Sequence, residues 1–190
     1  MKRTEKRAAA KAAEAWRGSD APSIEMNGLK ASKKAIPTAL KFIALRERSA
    51  AEVRSKLIKA GFSADEATEA VERLTSAGYL DDARFASRLT ASRAKNKLWG
   101  KRRIAAELAG KGVESDIIAS CLAAVEGASE EKAALAAFEK WLKKNGSPSS
   151  LDKKLFAKAM RHLIGRGFST NVALKTVGGR GAGEDLSGGY

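Results

Sequence analysis

Apolar residues recur along this chain at three- and four-residue intervals, in blocks that stop at glycine and resume after a short polar cluster. Val53 and Leu57 fall on one helix face. Ala67, Ala70, Val71 and Leu74 follow at i, i+3, i+4, i+7 spacing, the stripe of a helix with one buried side. The design then returns. Ile104 and Leu108 stand where Val53 and Leu57 stood, and Ile118, Cys121, Leu122 and Val125 match Ala67, Ala70, Val71 and Leu74. A first helix for this second block carries Phe85, Leu89 and Ser92 on one face. A third block has Leu135, Phe138, Trp141 and Leu142, then Leu155, Phe156, Ala159 and Leu163, then Val172, Ala173 and Val177. No segment alternates with the two-residue period of a strand, so the pattern predicts an all-α fold.

The punctuation repeats as well. Leu57-Ile58-Lys59-Ala60-Gly61-Phe62, Leu108-Ala109-Gly110-Lys111-Gly112-Val113 and Leu163-Ile164-Gly165-Arg166-Gly167-Phe168 are one phrase at offsets of 51 and 55 residues. Its second-to-last residue is glycine each time, which suits a left-handed helix stop because there is no Cβ to clash. Gly61 and Gly112 are therefore predicted to hold positive φ. Ser49-Ala50-Ala51-Glu52 and Ser63-Ala64-Asp65-Glu66 are capping boxes, in which serine and glutamate each satisfy a backbone N–H of the other. Gly78 is predicted to end a helix and Asp81 to cap the next. Repetition at this length points to stacked helical modules that bury faces against their neighbours. The expected architecture is three tandem three-helix repeats, over 37–82, 83–128 and 129–177, in an elongated, curved array. Residues 1–36 read as a basic, disordered N-terminal extension and 178–190 as a disordered, glycine-rich tail in which Gly178-Gly179 stops the last helix.

Charge narrows the function. There are 36 Lys and Arg against 22 Asp and Glu, a formal charge of +14, which favours an acidic partner such as nucleic acid. Cys121 is the single cysteine, so no intrachain disulfide forms; it reads as a small core residue. No apolar run approaches the ~20 residues that span a bilayer. The charged stretch Lys2 to Arg7 leads into alanines with no apolar signal core. A cytoplasmic monomer with no membrane association is expected. Catalysis finds no footing. His162 is the single histidine, and the Gly-x-Gly strings follow helices instead of opening them after a strand. There is no nucleophile elbow or phosphate loop, and Asp81-Asp82 reads most simply as a helix cap. No catalytic, cofactor or metal residues are assigned.

The chemistry that remains is cationic. Between Ala83 and Ala106 there is no acidic residue, yet Arg84, Arg88, Arg93, Lys95, Lys97, Lys101, Arg102 and Arg103 all lie there. A merely solvated face carries both signs, so this window is the first candidate for a binding surface. Trp99 sits within it, either packing at an inter-helix corner or offering a ring for stacking and cation–π contact. A second basic group includes Lys153, Lys154, Lys158, Arg161 and Arg166, with Lys140, Lys143 and Lys144 upstream.

Three motifs in order resemble the RecX family, bacterial regulators of the RecA recombinase. They are Ala39-Leu40-Lys41-Phe42-Ile43-Ala44-Leu45-Arg46-Glu47-Arg48-Ser49 with Glu52 and Leu57; Gly78-Tyr79-Leu80-Asp81-Asp82-Ala83-Arg84-Phe85-Ala86; and Lys101-Arg102-Arg103-Ile104 with Glu107-Leu108 and Lys111-Gly112. The resemblance covers about residues 37–177, its third repeat by pattern alone. It implies three tandem three-helix repeats and binding in the groove of RecA filaments on single-stranded DNA. It further implies restraint of strand exchange, ATP hydrolysis and coprotease activity, with the sign of regulation varying among members. Two other classes fit the residues. One is a sequence-independent binder of naked single-stranded DNA or RNA. The other is a helical-repeat adaptor for proteins, whose charge serves solubility.

Overall fold

Nine α-helices and one π-helical turn make up the regular structure among residues 32–125, 127–145 and 153–181, which the computed structural model describes. In chain order they are α1 (Ser32–Leu45), α2 (Ala50–Lys59), α3 (Ala64–Ser76), α4 (Asp82–Ser92), the π turn (Arg93–Lys97), α5 (Lys101–Gly110), α6 (Ser115–Ala123), α7 (Gly127–Asn145), α8 (Lys153–Gly165) and α9 (Thr170–Gly181). No strand occurs among the described residues. The order is three successive groups of three helices, as the apolar pattern predicts.

Element ends differ from expectation at both margins. The first helix starts at Ser32, not 37, and carries Pro37 inside it. A proline withholds one amide donor and crowds the carbonyl four residues back. Here Ala35, Ile36 and Ala39 are buried on either side of it, and that packing outweighs the local penalty. At the far end Gly178-Gly179 does not stop α9, which runs on to Gly181. Glycine weakens a helix by about 1 kcal/mol but keeps its N–H, unlike proline. The third group opens at Gly127, two residues before the expected Ser129. Most of the expected N-terminal extension and most of the glycine-rich tail lie outside the described residues.

The chain divides into two compact units. The first runs to Phe85 and takes in Lys111–Val113; the second holds the remainder. In the first, Ala35, Ile36, Ala39, Val53, Leu57, Ala67, Ala70, Leu74 and Leu80 form the core. Complete burial of Leu57 stabilises the unit by about 2 kcal/mol. Both capping boxes form. Ser49 Oγ accepts from the Glu52 N–H at 3.1 Å, and Ser63 Oγ from the Glu66 N–H at 3.2 Å, with both glutamates reaching back to the cap amides. Gly61 and Gly112 take φ of 94° and 72°, the left-handed values expected of them.

The Asp81-Asp82 pair is shared between two helices. Asp81 Oδ1 accepts from the Arg84 N–H at 2.8 Å and caps α4. Asp82 Oδ1 accepts from the Ala50 N–H at 2.8 Å, at the first residue of α2. Each carboxylate meets an amide that a helix start leaves unpaired, where the helix dipole also favours negative charge. Nearby, Ser49 Oγ donates to the Lys111 carbonyl at 2.5 Å, and Lys111 Nζ reaches Glu52 Oε1 at 3.2 Å. Gly112 is pressed against the Ala51 side chain, so any Cβ there would collide.

In the second unit the core is Ala134, Ala137, Phe138, Leu142, Ala159, Leu163, Phe168, Ala173 and Val177, drawn from α7, α8, α9 and the turn between the last two. Ile104, Leu108 and Ile118 are buried in α5 and α6. Cys121, expected in the core, is only partly buried.

Candidate nucleic-acid interface

Local chemistry makes the corner between α4 and α5 unusual. The helix widens to π geometry over Arg93–Lys97 and ends at Leu98, with φ 52° and ψ 52°. Leu98 has positive φ without being glycine, and its Cβ makes that conformation costly by about 1–2 kcal/mol. Three contacts hold it. The Leu98 side chain packs against the core of the second unit. Arg166 donates to the Lys97 carbonyl at 2.6 Å and to the Leu98 carbonyl at 3.4 Å, occupying acceptors that the helix end leaves open. The buried Gly100 then fits backbone-to-backbone against Gly167 and Phe168, where no side chain has room. Its N–H donates to the Arg166 carbonyl at 2.9 Å, and the Arg102 N–H donates to the Gly167 carbonyl at 3.1 Å.

Trp99 is therefore held between two anchored neighbours. Its ring is partly buried and lies outside the apolar core, whereas Trp141 packs against that core. The Arg103 guanidinium carbon lies 4.1 Å from the Trp99 ring centroid and that of Arg93 5.6 Å away. Both are within cation–π range.

The predicted cations separate by what their heads do. Arg93 forms a two-pronged pair with Glu107, Nε and Nη2 each at 2.6 Å from a carboxylate oxygen. That hydrogen bonding raises the Arg93 pKa further, so it stays a fixed positive charge. Lys101 Nζ donates to the Val125 carbonyl at 2.8 Å. Arg166 Nε donates to His162 Nε2 at 3.0 Å in addition to its carbonyl contacts. These three serve the architecture. Lys95, Lys97 and Arg102 are exposed and make no side-chain hydrogen bond or ion pair among the described residues. Arg103 is exposed, with one long bond of 3.3 Å to the Gly165 carbonyl besides its place over Trp99.

Arg88 is exposed on α4. Arg84 belongs to the first unit, is exposed, and reaches the Gly78 carbonyl at 3.4 Å. Lys153, Lys154, Lys158 and Arg161 are all exposed on α8, the last three spaced along one face. Arg161 bends back to the Ala157 carbonyl at 3.3 Å. Sequence reasoning did not foresee Glu107 or His162 in this setting. Glu107 stands one residue past the acid-free window, and its pairing with Arg93 spans 14 residues. Burial, and then the charge of Arg166, hold the His162 pKa below its ordinary value.

Among the described residues no group of His, Cys, Asp and Glu is placed to hold a metal ion. No described helix is long and apolar enough to cross a membrane. What the arrangement offers is a corner where Arg103 and the Glu107-paired Arg93 flank an indole, with Lys95, Lys97 and Arg102 exposed close by in the chain.

Comparison with known proteins agrees with this organisation. The family models for the first and second three-helix domains of RecX match residues 35–74 and 81–122. The regulatory protein RecX of Mycobacterium avium is 33% identical over 138 residues, covering 73% of this chain and 79% of that protein. The regulatory protein RecX of Prosthecochloris aestuarii is 32% identical over 146 residues, covering 77% and 93%. The crystal structure of RecX from Lactobacillus salivarius superposes with a TM-score of 0.71 at 19% identity, over 79% of this chain and 96% of that one. With the helical order, the two matching three-helix domain models and similarity over about three quarters of the chain in agreement, this chain belongs to the RecX family of regulatory proteins.

Proposed function

We propose that this protein binds RecA filaments on single-stranded DNA and regulates them by occupying their surface, without chemistry of its own. Its expected net effect is to limit strand exchange, ATP hydrolysis and coprotease activity, as a monomer in the cytoplasm. Membership of the RecX family carries the reading. The exposed Lys95, Lys97, Arg102 and Arg103 support it, since cations that have no acidic partner are available to phosphates. The test is co-sedimentation with RecA–ssDNA–ATP filaments beside naked single-stranded DNA, with ATP hydrolysis followed in parallel. Filament binding at least as tight as DNA binding, with altered hydrolysis at substoichiometric protein, is expected. Binding to naked DNA alone with hydrolysis unchanged would overturn the proposal in favour of a simple single-strand binder. That second reading draws on Trp99, whose ring lies among the cations rather than in the core.

A further inference from the structure

We propose that Trp99 is a stacking platform for one unpaired nucleobase, and that Arg103 is its exchangeable cover. The ligand is single-stranded nucleic acid. The choice of a single strand rests on the reading above, whereas the assignment to Trp99 rests on the corner itself.

The backbone around Trp99 is committed to presenting it. Leu98 accepts a left-handed conformation on one side, and Gly100 is packed against the Gly167–Phe168 backbone on the other. Trp99 also lies outside the apolar cluster that takes in Trp141. The two cations near its ring are held differently. Arg93 is clamped by Glu107 through two short bonds and stays in place. Arg103 is exposed and has only a long contact to the Gly165 carbonyl besides the ring. An exposed guanidinium gains little from a ring, whereas a base gains more because both stacked faces leave water.

Exchange therefore costs little. The base takes the place of the Arg103 head, and that head turns to the phosphate of the same nucleotide. The amides of Gly100 and Arg102 are already used by the Arg166 and Gly167 carbonyls. Phosphate contact thus falls to side chains, with Lys97 and Arg102 exposed beside the ring in sequence. Duplex DNA offers the phosphates but keeps its bases stacked on one another, so it cannot use the ring.

The experiment compares a labelled oligothymidylate with an abasic strand of the same length and charge, at fixed salt and without recombinase. Full-length wild-type protein should prefer the oligothymidylate by about tenfold. Trp99→Leu should erase that preference, so that the variant binds the two strands equally, and Trp99→Phe should keep most of it. Arg103→Gln should weaken binding to both strands and preserve the preference. Equal wild-type affinity for the two strands would overturn the proposal whatever the variants do. A preference that survives in Trp99→Leu would move stacking elsewhere. Because no filament is present, either result leaves the filament reading to its own test.

Discussion

Asp82 Oδ1 accepts a hydrogen bond from the Ala50 N–H at 2.8 Å, so a residue that begins α4 also closes the N-terminus of α2. The bond joins positions 32 apart within the first unit. It gives the second acidic residue of the Gly78–Ala86 motif a reason distinct from that of Asp81. Asp82→Ala and Asp81→Ala should each lower stability by about 1–2 kcal/mol, through different helices. Chemical denaturation measures both. Asn at either position keeps an acceptor and should recover much of the loss.

The glycine turns rank by what a Cβ would meet. Gly61, Gly112 and Gly167 all have positive φ. Nothing lies within 4 Å of a Cβ on Gly61, whereas Gly112 faces Ala51 and Gly167 faces the Arg103 backbone. Gly61→Ala should therefore cost about 1 kcal/mol from strain alone. Gly112→Ala and Gly167→Ala should cost roughly 2–4 kcal/mol, because strain and overpacking add. Leu57→Ala and Leu108→Ala, at fully buried positions, should fall at about 2–5 kcal/mol. Thermal melts that place Gly61→Ala at or beyond the cost of Gly167→Ala would contradict the assignment of these turns.

Thr90 is 3% exposed, and its Oγ1 has no hydrogen-bond partner among the described residues. A buried hydroxyl left without a partner is a liability of about 1–3 kcal/mol, and valine matches its shape without it. Thr90→Val should raise the denaturation midpoint or leave it unchanged.

His162 links stability to pH. Burial, and then the neighbouring Arg166, hold its pKa below the ordinary 6.5. The folded protein takes up this proton less readily than the unfolded chain. The contribution to stability is therefore complete above about 6.5 and lost as pH falls from there through the folded value. Protonation also removes the acceptor for Arg166 Nε, which steadies the Leu98 turn through its other donors. The melting temperature of the wild type should fall between about pH 7 and pH 5 more than that of His162→Gln. Identical slopes for the two would count against this coupling.

Much of the scaffold was legible because it is local. Capping boxes at Ser49 and Ser63, and left-handed glycines at 61 and 112, follow from neighbours within a few residues. So did the placement of Leu57 and Leu108 in the core, from helical spacing. The extent of α1 and α9 was not legible. Pro37 and Gly178-Gly179 are local stop signals, and burial of Ala39 and Val177 overrides them. The candidate surface was legible as charge but not as geometry. Arg93, Lys101 and Arg166 look like Lys97 and Arg102 in a sequence. Their commitments to Glu107, Val125 and Leu98 arise from contacts 14, 24 and 68 residues away.

The sorting of cations by their commitments gives the account its most direct test. Lys95, Lys97 and Arg102 reversed together to glutamate change the corner. Lys154, Lys158 and Arg161 reversed together change the α8 face by the same charge within the same unit. Binding of both triple variants to RecA–ssDNA filaments is measured at equal salt, with circular dichroism as the folding control. The corner variant should lose about tenfold or more in affinity and show a shallower salt dependence, while the α8 variant loses less. Equal losses, or a greater loss from α8, would contradict the assignment of the binding surface to the Trp99 corner.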